Sequence, residues 1–228
     1  MRLRVLERCR SDYRGFGPTF LAETLAARDS IDVSAEWLRA LLVANDLWTS
    51  KRRKRNVHPL RVRRPRFGEL VQMDGSPHDW FEDRGPRCTL LLAIDDATSR
   101  ITSARFENAE TTDGYMLLIR KHLETFGRFR AAYTDKHSIF RYSGPSTSND
   151  ITTQLQRSLD ELEIELICAN SPQAKGRVER ANRTFQDRLI KAMRLEHIGG
   201  TVSANGFLPQ FLTEHNARFA IAPESADG

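Results

Sequence analysis

Asp74, Asp135 and Glu179 are the three side chains whose types and settings could do chemistry together. Asp74 closes the run ELVQMD and Asp135 closes FRAAYTD. Glu179 lies in SPQAKGRVERANRTFQDRLIKAM, where apolar residues recur at helical spacing. An alternating strand and helix pattern can deliver such distant positions to one pocket. Carboxylate oxygens suit hard cations, and Mg²⁺ retains several waters, so one or two protein carboxylates per ion are enough. Three acids therefore suffice for two Mg²⁺ or Mn²⁺ ions about 3.5–4 Å apart, a pair that stabilises both the attacking and the leaving oxygen of a phosphodiester displacement.

Each acid also has an ordinary explanation. Asp74 precedes Gly75 and could form a turn, Asp135 could cap a loop, and an exposed Glu on a helix is common. Their joint placement, two at strand ends and one on a helix, favours the chemical reading. Asp95 and Asp96 compete for the same role at the end of LLLAID, but an Asp-Asp-Ala-Thr turn makes its own backbone hydrogen bonds, so a structural role is expected there. His78 and His137 lie near the acids and could orient a phosphate, although the two-metal scheme needs no proton carrier.

The charge distribution points to the substrate. The chain carries a formal +5, yet residues 51 to 66, KRRKRNVHPLRVRRPR, hold nine Lys or Arg and no acid, leaving the rest near −4. Such a stretch displaces counterions from a phosphate backbone and binds nucleic acid in a salt-sensitive, largely sequence-independent way. Lys51, Arg52, Arg53, Lys54, Arg55, Arg61, Arg63 and Arg64 are the expected contacts, and Pro59 and Pro65 keep the segment extended. The bland reading is a solvated linker. On the Glu179 helix, Lys175, Arg177, Arg180 and Arg183 could reach phosphates beside the metals or merely form i, i+4 pairs.

The elements that must position these groups fall into two parts. In residues 1–50, Pro18 suits a first helical position in GPTFLAETLAARD, and Ser34 is a natural N-cap for SAEWLRALLVAND, with Trp37, Leu38, Leu41 and Leu42 on its buried side. Two short helices and a tight turn suggest a helix-turn-helix; a structural helical hairpin explains the same spacing. Residues 51–66 form a basic linker. From residue 67, ELVQMD, CTLLLAID and RITSARFE read as an antiparallel meander, followed by the helix TTDGYMLLIRKHLETF, with His122 on its apolar stripe. The strand FRAAYT, a loop DKHSIFRYSGPSTSND, the helix NDITTQLQRSLDEL, the strand EIELIC and the Glu179 helix complete the order βββαβαβα. Residues 67–195 are the expected core and 196–228 a C-terminal helical extension.

That order outlines an α/β fold, a ribonuclease-H-like mixed sheet flanked by helices and preceded by a small helical domain. The runs VQMDGSPHDWF, LLLAIDDATSRI, AAYTDKHSIFR and SPQAKGRVERANRTFQDRL resemble the catalytic core of DDE transposases and retroviral-type integrases, especially insertion-sequence transposases with an N-terminal helix-turn-helix. The resemblance spans most of the chain. It implies that Asp74 bridges two Mg²⁺ or Mn²⁺ ions while Asp135 and Glu179 each hold one. The 43 residues between Asp135 and Glu179 exceed the spacing typical of retroviral integrases, and the Ser- and Gly-containing loop accommodates the excess.

The implied activity is cleavage and strand transfer at transposon ends, with water or a DNA 3′-hydroxyl as nucleophile and no covalent protein intermediate. The implied partners are double-stranded DNA, both transposon ends and target, and further copies of the chain in a homo-oligomer. Transposases of this kind usually extend further at both ends, so a truncated chain acting only as a DNA-binding protein or repressor is the alternative. No apolar run reaches the ~18 residues of a spanning helix and no signal pattern opens the chain, so a cytoplasmic, nucleoid-associated protein without membrane contact is expected. Cys9, Cys88 and Cys168 are too scattered for a disulfide framework or zinc finger.

Overall fold

The computed structural model describes residues 1–49, 62–135, 139, 153–168 and 176–225. The chain divides into two compact units, Met1–Val57 and His58–Gly228.

The first unit holds helices α1 (Arg2–Arg10), α2 (Pro18–Asp29) and α3 (Ala35–Ala44). Pro18 opens α2 after an extended Gly17, where the missing N–H costs nothing. The Ser34 hydroxyl caps α3 by accepting from the Trp37 N–H at 3.1 Å. Val5, Cys9, Leu21, Leu25, Leu38 and Leu42 form the buried side, while Trp37 is only half-buried. Helix α1 has no counterpart among the expected elements, since RLRVLERCR buries only Val5 and Cys9 among its arginines. An ion pair compensates: Asp29 at the end of α2 accepts from Arg8 Nη2 at 2.8 Å and from the Tyr13 hydroxyl. Burial pushes the Asp29 carboxyl up, but these hydrogen bonds outweigh it and hold the carboxyl below its usual value.

The second unit contains β1 (Val71–His78), β2 (Cys88–Asp95), β3 (Ile101–Glu107), α4 (Thr112–Phe126), β4 (Ala131–Thr134), α5 (Gln154–Glu161), β5 (Glu165–Cys168), α6 (Gly176–Leu195) and α7 (Thr201–Phe219). The strands form one mixed sheet in the order β3-β2-β1-β4-β5. β1 pairs antiparallel with β2, and β2 with β3, while β1–β4 and β4–β5 are parallel. The order βββαβαβα is the one the periodicity predicts.

The sheet is buried on both faces because β2, CTLLLAID, is a continuous apolar run. Leu90, Leu92 and Ile94 pack with Val178, Phe185 and Leu189 of α6 and with Ala204, Leu208 and Phe211 of α7. Leu91 and Ala93 pack on the opposite face with Tyr115, Leu118 and Ile119 of α4 and Leu155 and Leu159 of α5. Thr111 and Thr153 cap α4 and α5 through their hydroxyls. The exposed edge of β3 is closed by α7. Asn205 exchanges two hydrogen bonds with the backbone of Phe106, and Asn216 does the same with Ile101.

Each helical layer buries one histidine. His122 in α4 packs against Phe126 and Phe129, and His215 in α7 against Phe185, Phe211 and Phe219. Burial lowers both to about 4, with Arg188 adding to the effect on His215. His122, on the apolar stripe of its helix, lies fully inside.

One strand boundary departs from the expectation. β1 does not stop at Asp74; it runs on through Gly75 and Pro77 to His78, paired with β2 along its whole length. Gly75 and Pro77 read as breakers in the sequence. They are tolerated because, among the described residues, the pairing of β1 with β4 ends at Gln72, which leaves the second half of β1 with one strand partner there.

Candidate active site

β1 and α6 build the site between them. Gln72, Asp74 and Ser76 alternate along β1 and so share the face that meets α6. The Val178 N–H donates to Gln72 Oε1 at 3.3 Å, Asn182 Nδ2 donates to Asp74 Oδ2 at 2.9 Å, and Gln186 Nε2 donates to Ser76 Oγ at 3.1 Å. The match follows from geometry: four helical residues rise about 6 Å and two strand residues about 6.6 Å, so residues 178, 182 and 186 keep step with 72, 74 and 76. α6 therefore runs in the direction of β1 along a polar seam. Glu179 projects from the turn that precedes Asn182.

Asp135 follows β4 directly. The parallel register pairs Val71 with Ala132 and Gln72 with Tyr133, so Asp74 and Asp135 each lie two residues beyond the last paired position, and both charges act on the Tyr115 phenol. Asp74 is half-buried, whereas Asp135 and Glu179 are exposed. Both aspartates thus lie just past the end of the parallel pairing of β1 with β4, and Glu179 stands on the adjoining helix. Among the described residues, no three His, Cys, Asp or Glu side chains are drawn together closely enough to hold a metal ion. The donor chemistry nevertheless suits a hard dication, since all three groups offer carboxylate oxygens.

Asn182 and Glu110 belong to this neighbourhood and were not singled out as site residues from the sequence. Asn182 is 7% exposed, and because a carboxylate only accepts, its amide nitrogen must face Asp74. Its carbonyl oxygen is buried without a hydrogen-bond partner, a cost of about 1–3 kcal/mol that packing alone does not require. Glu110 lies against Gly75, where a Cβ would fall 1.3 Å from Glu110 Oε1. The buried Tyr115 hydroxyl donates to that oxygen at 3.1 Å. Burial, then the charges of Glu110, Asp74 and Asp135, push the Tyr115 phenol well above its usual value, so it stays protonated as a donor. A Glu just ahead of a helix gives no signal in the sequence that it will fold back onto a glycine of another strand.

Both Asp95 and Asp96 are structural as expected, Asp95 through the local turn bonds foreseen and Asp96 through partners distant in sequence. Asp95 is fully buried and accepts from the Thr98 N–H and hydroxyl and from the Gly68 N–H. Burial still raises its pKa against those hydrogen bonds. Asp96, also fully buried, accepts from Gln72 Nε2 at 2.7 Å, Arg177 Nη1 at 2.8 Å and the Arg64 N–H at 2.9 Å.

The predicted phosphate contacts divide accordingly. Arg180 and Arg183 are exposed on α6. Arg177 is engaged with Asp96, its side chain only 12% exposed, and Arg63 donates to the Ala97 carbonyl at 2.9 Å and Ser99 Oγ at 2.8 Å. Lys51, Arg52, Arg53, Lys54, Arg55, Arg61, Lys175 and His137 lie outside the described residues. His78 packs edge-on against Trp80. Cys9, Cys88 and Cys168 are free thiols, and burial raises Cys9 and Cys88 to about 11.

This mixed sheet with helices on both faces is the ribonuclease-H-like fold of an integrase catalytic core. The simian T-cell lymphotropic virus intasome, solved in complex with PP2A regulatory subunit B56 gamma, contains a chain that superposes with a TM-score of 0.54 at 18% identity, covering 90% of this chain and 70% of that one. The dimeric form of the HTLV-2 integrase catalytic core domain in complex with magnesium gives 0.51 at 15% identity, covering 70% and 93%. No family model matches the chain.

Two curated relatives are much closer in sequence. "Putative transposase y4bF" of Sinorhizobium fredii (strain NBRC 101917 / NGR234) is 48% identical over 219 residues, 96% of this chain and 48% of that protein. The transposase for insertion sequence IS1202 of Streptococcus pneumoniae is 39% identical over 169 residues, 72% of this chain and 36% of that protein. In sequence the chain is similar to these transposases, and its fold is that of the integrase cores. It spans about half or less of the length of these curated relatives.

Proposed function

We propose that this chain carries the catalytic core of a DNA transposase, which cleaves phosphodiester bonds and transfers strands at transposon ends. The observation that supports this best is the seam between β1 and α6, which sets Glu179 one turn ahead of the residue that touches Asp74, with Asp135 directly after β4, the parallel neighbour of β1.

Asp74, Asp135 and Glu179 would hold two Mg²⁺ or Mn²⁺ ions, with Asp74 shared between them. When bound, such ions stabilise charge on the attacking and leaving oxygens of the displacement. The protein's own residues do the positioning. Asn182 holds one oxygen of Asp74 and so limits the rotation of that carboxylate. Gln186 and Ser76 continue the seam and hold the helix against the strand. Arg180 and Arg183, exposed on the helix that carries Glu179, supply cationic contacts for phosphates of the DNA backbone. The basic segment 51–66 adds sequence-independent affinity, and the three-helix unit, as a helix-turn-helix, selects the site. The nucleophile is water or a DNA 3′-hydroxyl. Double-stranded DNA, as transposon end and as target, and further copies of the chain are the partners in this reading. Among the described residues no helix is long and apolar enough to cross a membrane.

The test is nicking of supercoiled plasmid by the purified chain with Mg²⁺ or Mn²⁺, beside Asp74→Asn and Glu179→Gln proteins shown to be folded by circular dichroism. Metal-dependent nicking lost in both variants supports the proposal. Nicking that survives either one sinks the assignment of that residue. Salt-sensitive DNA binding without any nicking marks a DNA-binding remnant instead.

A further inference from the structure

Arg177 stands two residues ahead of Glu179, and from the sequence it reads as a phosphate contact. In the fold its Nη1 donates to Asp96 Oδ1 at 2.8 Å, with the Asp96 side chain fully buried. The same Asp96 oxygen accepts from Gln72 Nε2 at 2.7 Å, and Gln72 Oε1 accepts from the Val178 N–H at 3.3 Å. The orientation of the Gln72 amide follows, since a carboxylate can only accept and a helical N–H can only donate. Two consecutive residues of the first turn of α6 are therefore tied to one carboxylate, Arg177 directly and Val178 through a single amide. The Val178 N–H is also one of the first-turn donors that the helix itself cannot satisfy.

The far side of Asp96 takes a different partner. Its Oδ2 accepts the Arg64 N–H at 2.9 Å, while Arg63 donates to the Ala97 carbonyl and Ser99 Oγ in the turn that follows β2. The end of the basic segment and the start of the Glu179 helix thus meet at one buried aspartate. A buried ion pair is a poor source of net stability, because desolvation offsets the Coulombic gain, but a satisfied buried network holds its members in one geometry.

We propose that Asp96 and Arg177 are positioning residues for Glu179: the pair sets the start of α6 against β1, and through Arg63 and Arg64 it fastens the basic segment to the same point. This rests on the reading of Glu179 as a metal ligand. Arg177 then acts on metal affinity and contributes little to DNA affinity.

The experiment uses the full chain and its Arg177→Gln, Arg177→Lys, Asp96→Asn, Asp96→Asn/Arg177→Gln and Glu179→Gln variants. Mn²⁺ affinity is read by isothermal titration calorimetry, and duplex DNA affinity is read without metal across a salt series. Arg177→Gln should weaken Mn²⁺ binding about tenfold, the effect of losing an outer-sphere support. Its salt slope should be unchanged, and Arg177→Lys should recover part of the Mn²⁺ affinity. The double variant should bind Mn²⁺ no worse than Asp96→Asn alone, as two members of one unit do. If Asp96→Asn does not fold, the Arg177 variants carry the test, because Asp96 keeps Gln72 and Arg64 in them.

Unchanged Mn²⁺ affinity in Arg177→Gln overturns the inference, as does a salt slope smaller by about one, the mark of a lost phosphate contact. Glu179→Gln separates the two failures. If it binds Mn²⁺ like the parent chain, the metal reading falls and this inference with it. If it loses Mn²⁺ while Arg177→Gln does not, only the positioning role falls.

Discussion

Asp95 and Asp96 at the end of β2, and Asp74 and Asp135 on β1 and after β4, are the same residue type in one sheet, yet only the first pair is wholly buried. Asp95 receives three donors from Thr98 and Gly68, and Asp96 receives Gln72, Arg177 and Arg64. Those carboxylates are committed to the protein. Asp74 is half-buried and Asp135 exposed, each two residues past the end of the β1–β4 pairing, and so remain reachable by a ligand from solvent. Neither the residue type nor a position near a strand end separates the two pairs. What separates them is whether the surrounding fold supplies enough donors to replace water.

The sharpest way to break this comparison is to neutralise one member of each pair. Asp74→Asn should lower metal-dependent plasmid nicking about a thousandfold or more, since two-metal stabilisation is worth several kcal/mol of barrier, while its urea midpoint stays near that of the parent. Asp95→Ala should do the reverse to stability. It leaves two buried donors of Thr98 and the part-buried Gly68 N–H without an acceptor and should cost roughly 2–5 kcal/mol in urea unfolding. An Asp95→Ala protein as stable as the parent would end the distinction.

Acid extends the contrast to groups held neutral by burial. His122 and His215 titrate near 4 in the folded chain but at their ordinary value near 6.5 when unfolded. The unfolded chain therefore binds more protons between those values. The stability is fully present above about 6.5 and is lost as pH falls toward 4, by roughly 3 kcal/mol for each histidine. Urea unfolding of the parent and of His122→Leu at pH 7.5 and 4.5 checks this, with the smaller pH dependence expected in the variant.

Smaller effects test the surroundings of Asp74. Gly75→Ala must displace the Glu110 carboxylate from a point 1.3 Å away and should cost about 1–3 kcal/mol, most of it recovered by adding Glu110→Ala. Tyr115→Phe, which removes only the hydroxyl that holds Glu110, should cost about 1 kcal/mol in the same assay.

Much of the core was legible in the sequence. The alternating and continuous apolar runs predict each strand of the sheet, and the helical spacing predicts α2 to α6, with a cap at Ser34 and one at Thr111 or Thr112, of which the fold uses Thr111. The turn chemistry predicts that Asp95 and Asp96 are structural. Other features were hidden for physical reasons. Helix α1 escaped because only Val5 and Cys9 of its residues are buried, too short an apolar stripe to stand out among its arginines, while its Arg8 pairs with Asp29, a residue distant in sequence. The second half of β1 escaped because Gly75 and Pro77 are breakers only where a strand has two partners.

The sequence by itself determined the α/β class, the order of elements, the basic segment and the three acids worth testing, because these depend on periodicity, composition and residue chemistry, which are local. Only the tertiary structure decided which groups meet. It tied Asn182 to Asp74, brought Glu110 onto Gly75 and turned Arg177 inward to Asp96, partners between 35 and 108 residues apart. Such pairings follow from strand register and from the rise of a helix against a strand, and a one-residue slip in either would replace every partner.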